Sequence, residues 1–180
     1  KVISVTLGKM VSLCYNISIM KNYIVFDLEW NQSANGKERS IPHFPFEIIE
    51  IGAVKLNETF QMVDEFHRLI RPQVYTQMHH AISEVTHMDM KELRNSGELF
   101  PDAAADFLSW CGGDAVFCTW GNMDLLELQR NMDYYHMDNP FPKPLFYYDV
   151  QKLYGLFCRE NARISLDSAV EEQSLLENRP

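Results

Sequence analysis

Apolar residues fall along the chain in short runs separated by polar, glycine- or proline-containing stretches, and the runs have two different periods. Tyr23 to Phe26 is uninterrupted apolar chain ending abruptly in Asp27-Leu28-Glu29-Trp30, which reads as a strand covered on both sides that surfaces at its carboxyl end. Glu47 to Leu56 is rich in β-branched residues, and Phe60 to Ile70 alternates well enough to pair with it through Asn57-Glu58, so the two predict a hairpin flanking the first strand, closed by Arg71-Pro72. Ser83 to Met88 begins a short helical or turn segment. Phe100 to Cys111 carries Ala103, Phe107, Leu108 and Cys111 at helical spacing and stops at Gly112-Gly113. Ala115 to Trp120 predicts a second buried strand, Gly121-Asn122 a turn with a helix N-cap, and Met123 to about Tyr135 the helix that follows. After the proline-punctuated loop Pro140 to Pro144 come a short strand, Leu145 to Tyr148, ending in Asp149, a helix over Val150 to Arg159, and, over Ile164 to Glu172, the start of another helix that Ser165 could cap. Strands alternating with helices imply an α/β fold: a central mixed sheet with an antiparallel hairpin edge and flanking helices.

The chemistry gathers where apolar runs end. Side chains on a strand alternate between faces, so Asp27 and Glu29 project from the same face and could share a cation, and open α/β sheets bind ligands at the carboxyl ends of their strands. The plainer alternative is a strand end displaying two solvated acids. Asp124 falls in the first turn of the helix after the second strand, where the helix dipole favours a carboxylate with or without a metal. Asn31 to Pro45 is a polar surface loop whose His43, Phe44 and Phe46 either stack on a base or tack the loop to the core.

Composition narrows the classes. The 180 residues are 46% apolar and 23% charged, which is ordinary for one globular domain and excludes a disordered chain. A formal charge of −9 without a basic block argues against holding long nucleic acid by phosphate neutralisation, although an enzyme gripping a chain end through metal ions can carry an acidic site. Cys14, Cys111, Cys118 and Cys158 have no zinc-site spacing and suit reduced thiols in a cytoplasmic setting. No apolar run is long enough for a transmembrane helix. Lys1 to Ile19 makes a poor signal peptide, Met20 reads as the start, and residues 1–19 as an accessory or non-native extension before a single domain over 20–180.

With these residues in view, the sequence resembles the DEDD superfamily of 3′-to-5′ exonucleases, the DnaQ-like nucleases on a ribonuclease H-like fold. Tyr23 to Glu29 is similar to the family's first motif, a strand plus Asp-x-Glu; Glu47 to Leu56 to its second strand; and Trp120 to Asp124 to its second motif. Val85-Thr86-His87-Met88 lies where relatives carry a turn near the terminal nucleotide, with His87 in place of the usual glycine, and the wording is most similar to the KapD-like, RNA-degrading branch. The resemblance implies that Asp27, Glu29 and Asp124 ligate two divalent cations, Mg2+ or Mn2+, and that Trp30, Thr86 and Trp120 line the terminal-nucleotide pocket. The His-containing branch continues to a His-x4-Asp motif, and here no histidine follows His136, so the general base, the fourth carboxylate and the terminal helix are expected to be missing from a truncated chain. Tyr134-x3-Asp138 has the spacing of the tyrosine branch's third motif but lies on the helix of Asp124 and reads as coincidence.

These readings predict a metal-dependent exonuclease acting at 3′ ends of RNA or single-stranded DNA, with little activity from these 180 residues alone. The competing readings are a non-catalytic domain that binds nucleic-acid ends and a small-molecule phosphohydrolase using the same two-metal chemistry.

Overall fold

The computed structural model describes residues 22–141, 146–159 and 163–177. The expectations for residues 1–19, and for Leu145 as a strand residue, lie outside them. Among the described residues five strands, β1 (Asn22–Asn31), β2 (Glu47–Leu56), β3 (Met62–Leu69), β4 (Ala115–Thr119) and β5 (Tyr147–Asp149), form one sheet in the order β3-β2-β1-β4-β5. The hairpin half is antiparallel, while β4 and β5 run parallel to β1. Among the described residues six α-helices accompany it: α1 (His80–Thr86), α2 (Met90–Ser96), α3 (Phe100–Cys111), α4 (Met123–Tyr134), α5 (Val150–Cys158) and α6 (Leu166–Glu177).

Alternation along β1 sends Ile24, Phe26 and Leu28 to one face, where Ile51, Ala53, Phe66 and Phe117 join them. Ala103, Ala104, Phe107 and Cys111 of α3 and Leu125, Leu128 and Met132 of α4 close that face into the core. Phe26 meets Phe107 and Phe117 with ring centroids 5.6 and 5.9 Å apart, so truncating any of these rings to alanine should cost about 3–5 kcal/mol. The opposite face carries Asp27, Glu29, Glu50 and His67 and is only partly covered.

Most expected elements appear within a residue or two; α1 begins at His80, three residues before the expected Ser83, and three further differences stand out. The hairpin turn is longer than the dipeptide Asn57-Glu58: Asn57 accepts on its side chain from the amides of Thr59 and Gln61, and Phe60 sits in the turn at φ 59°. Met90–Ser96 forms a helix whose start Asp89 caps through Lys91 N–H, a short polar segment with one buried residue, Leu93, and hence little periodicity. Asn122 precedes α4 without a capping hydrogen bond from its side chain, whereas Ser165 does cap α6, accepting from Ser168 N–H.

Three buried polar side chains tie the ends of the strands to their surroundings. The carboxylate of Glu47, 1% exposed, accepts from the amides of Gln73, Val74 and Tyr75 and from the Tyr135 hydroxyl. Asn131 of α4 accepts from Ile48 N–H and donates to the Phe46 carbonyl, and Asn31 donates to the carbonyls of Tyr75 and Gln77 and accepts from His79 N–H. Orphaned buried donors cost about 1–3 kcal/mol each. Glu47→Ala should therefore destabilise the protein by about 3 kcal/mol or more in urea unfolding, and Tyr135→Phe by about 1 kcal/mol; a Glu47→Ala loss as small as that of Tyr135→Phe would show that the 73–75 segment holds itself.

Candidate active site

The site is built where β1 outruns its neighbour. β4 pairs with β1 only from Asn22↔Ala115 to Val25↔Cys118, so beyond that point β1 has no ladder partner on this side. The chain leaves β4 at Thr119, turns through Gly121 at φ 98° with Thr119 Oγ1 bonded to the Gly121 carbonyl, and enters α4. That turn puts Asp124 in the first turn of α4, and its carboxylate accepts from Leu28 N–H at 3.2 Å, taking the place of a strand carbonyl. The peptide between Asp27 and Glu29 is thereby joined to Asp124, 96 residues on.

The acids feel one another's charge. Asp27 is reachable by solvent, but the sheet beneath it desolvates the carboxyl and raises its pKa, with Glu50 adding to the rise. Glu29 is raised by burial and by Asp27, Glu50 and Asp124. Asp124, 5% exposed, is pushed up to about 6 by burial and by Asp27, partly offset by the bond from Leu28 N–H. Among the described residues no Lys, Arg or His pairs with any of the three. A set of carboxylate oxygens in excess of positive charge has the donor chemistry for a hard divalent cation. As the side chains are placed, no group of three His, Cys, Asp or Glu among the described residues closes on a common point.

Glu50 is the acid that the sequence reading passed over. It pairs across strands with Glu29, and its carboxylate bonds His67 Nε2 at 2.5 Å. The signal was available, a single charge between Ile49 and Ile51 in an apolar run, but its meaning depends on the β1–β2 register.

The nucleotide-side residues divide. Trp120 borders a cavity of about 640 Å3 on the open face of the sheet together with Asp27, Gly52, His67, Thr119 and Leu166, its indole donating to the Ile164 carbonyl. On the far side of Trp120 a second cleft of about 600 Å3 runs past Asn122, Lys152 and Arg163. Thr86 uses its hydroxyl within α1, donating to the Ile82 carbonyl and accepting from Met88 N–H. Asn31 holds the start of α1 beside β1, whereas Trp30 packs its ring on Phe46, centroids 5.6 Å apart, and on the core. Phe44 is likewise a core residue, stacked on Tyr134 at 3.9 Å.

A family model described as Exonuclease (RNase_T) matches residues 24–179. No curated protein sequence gives a significant match. Among solved structures, the chain is similar to the nuclease domain of 3′hExo, a DEDDh family member, bound to rAMP, with 23% identity, a TM-score of 0.64, and coverage of 79% of this chain and 72% of that one. It is also similar to cell-death related nuclease 4 (14% identity, TM-score 0.66, 88% of this chain and 55% of that one). A third similarity is to E. coli exonuclease I in complex with a dA13 oligonucleotide (13%, TM-score 0.61, 76% and 29%). At these identities the likeness is one of fold, and the chain spans barely more than half of the second structure and less than a third of the last. No helix among the described residues is long and apolar enough to cross a membrane.

The raised carboxyls set a pH dependence. A carboxyl whose folded pKa lies above its unfolded value stabilises the fold below the unfolded pKa, and that contribution is lost as pH climbs through the folded one. For Asp124 the window runs from 3.8 to about 6, worth on the order of 3 kcal/mol, and Asp27 and Glu29 act in the same direction. Asp124→Asn keeps an oxygen for Leu28 N–H but carries no charge. In EDTA, the stability difference between Asp124→Asn and wild type should thus grow in favour of the variant from pH 4 to pH 7; urea unfolding at each pH checks this, and a constant difference would contradict it.

Proposed function

The chain belongs to the exonuclease family whose model spans residues 24–179, and on that footing we propose that it removes nucleotides from the 3′ ends of RNA or single-stranded DNA with Asp27, Glu29 and Asp124 as its cation-holding acids. The observation that carries this reading is the bond from Leu28 N–H to Asp124, which brings that acid to the end of β1, where burial and neighbouring carboxylates raise the pKa of all three and no cationic side chain among the described residues is paired to them. Two divalent ions, Mg2+ or Mn2+, would supply activation of water and stabilisation of the leaving oxygen there.

The protein's own groups would hold the cations and the chain end. Asp27 and Glu29, held on one face by the strand, would present oxygens to the cations, and Asp124 would be kept from swinging away by Leu28 N–H. With a formal charge of −9 the protein repels a polyanion overall, so the cations provide the attraction for the terminal phosphate. Trp120, on the wall of the cavity that Asp27 borders, offers an aromatic face to a base. Thr86, at the end of α1, and Trp30, beside Glu29 in sequence, are assigned to the nucleotide side by the family resemblance alone, since neither lines that cavity. The free thiols Cys111, Cys118 and Cys158 support a reducing compartment such as the cytoplasm.

Single-stranded RNA and DNA labelled at the 3′ end test this directly. Release of labelled mononucleotide should require Mn2+ or Mg2+, stop in EDTA, and fall by at least about 100-fold in Asp27→Asn, as loss of several kcal/mol of charge stabilisation would dictate. That variant should stay folded, because neutralising one of several like charges relieves repulsion. Metal-dependent binding of the 3′ end without release of the label would support the end-binding domain instead.

A further inference from the structure

We propose that Glu50 is a positioning carboxylate of the acidic centre, tethered by His67 and set opposite Glu29 so that its charge strengthens cation binding at Asp27 and Glu29. This rests on the cation-holding role assigned above to those acids, and goes beyond it in naming a fourth acid and the residue that controls it.

The register carries the argument. Glu29↔Glu50 and Asp27↔Gly52 are direct partners across β1 and β2, so the side chains of Glu29 and Glu50 stand on the same face. Like charges directly opposite on neighbouring strands destabilise a sheet. The next strand relieves this: β3 pairs Gly52 with His67 and Glu50 with Leu69, which makes His67 the diagonal neighbour of Glu50, within reach of a long side chain. Glu50 takes that diagonal and bonds His67 Nε2 at 2.5 Å. Gly52, which has no side chain, leaves the space between Asp27 and His67 open, and both residues border the same cavity. Glu50 is thus turned toward β3 and away from Glu29, while its charge still acts on both Asp27 and Glu29.

Two consequences follow for cation binding. Glu50 should add to the affinity by its charge, since one carboxylate several Å from a divalent ion in a partly solvated site is worth about tenfold. His67 should limit that gain, because its bond keeps the carboxylate from moving closer to the cation. His67 is 62% and Glu50 22% exposed at the side chain, so substitution of either leaves the core intact.

The test is Mn2+ affinity of the full chain, read as free Mn2+ by electron paramagnetic resonance, for wild type, Glu50→Gln, Glu50→Asp, His67→Ala, Glu50→Gln/His67→Ala and Asp27→Asn. Glu50→Gln should bind about tenfold more weakly, and Glu50→Asp, which keeps the charge, should bind like wild type. His67→Ala should bind more tightly, by about threefold, and the double variant should match Glu50→Gln, because His67 acts only through Glu50. Wild-type affinity in Glu50→Gln, or an undiminished His67→Ala effect in the double variant, overturns the inference. Asp27→Asn separates the two readings. If it loses Mn2+ while Glu50→Gln does not, the role of Glu50 alone falls; if wild type does not bind Mn2+, or Asp27→Asn binds it like wild type, the cation site falls and Glu50 with it.

Discussion

The buried carboxylate of Glu47 has no cationic side chain paired to it among the described residues, and its charge is met by three consecutive backbone amides and a tyrosine hydroxyl. Charge-assisted hydrogen bonds of this kind are what make a buried carboxylate tolerable, and here they join pieces that no sheet ladder connects. The amides belong to the segment after the hairpin, the hydroxyl to Tyr135 just after α4, and Glu47 itself opens β2. Asn131, one turn back along α4, adds bonds to Phe46 and Ile48. α4 is therefore fixed to the start of β2 at its carboxyl end, and that fixes the approach of its amino end to β1. Asp124 meets Leu28 N–H because α4 is seated by Glu47 and Asn131.

The other half of the design is electrostatic and works in the opposite sense. At Glu47 every charge is satisfied, whereas Asp27, Glu29 and Asp124 are held where burial and mutual repulsion raise their pKa values. Such an arrangement costs stability at neutral pH, and perturbed acids of this kind concentrate at functional sites. The two regions lie at the same end of the sheet, so the satisfied carboxylate supplies rigidity where the unsatisfied ones need to be held together. The His67–Glu50 pair lies between these extremes: one partner satisfies the carboxylate while its charge still reaches the site.

Much of this was legible in the residues taken in order. The apolar run Tyr23 to Phe26 ending in Asp-x-Glu, the alternation that makes β2 and β3 a hairpin, the helical spacing of Phe100 to Cys111 stopped by Gly112, and the strand-turn-helix around Gly121 are all local patterns, and the structure follows them closely. Met90–Ser96 was not legible because a seven-residue polar helix burying only Leu93 has almost no period to read. Phe44 and Phe46 carried two readings in a polar loop, and ring contacts with Tyr134 and Trp30 decided for packing.

The sequence by itself determined that Asp27 and Glu29 share a face, because side-chain alternation is a property of any strand, and that Asp124 opens a helix, because a glycine turn follows an apolar run. Only the tertiary structure decided that Asp124 reaches the peptide between those two acids, that Glu50 stands opposite Glu29, and that His67 bonds it. The physical reason is range. Periodicity and turn chemistry act over a few residues, whereas strand register and helix seating are set by contacts between residues such as Leu28 and Asp124, or Glu47 and Tyr135, that lie 96 and 88 positions apart.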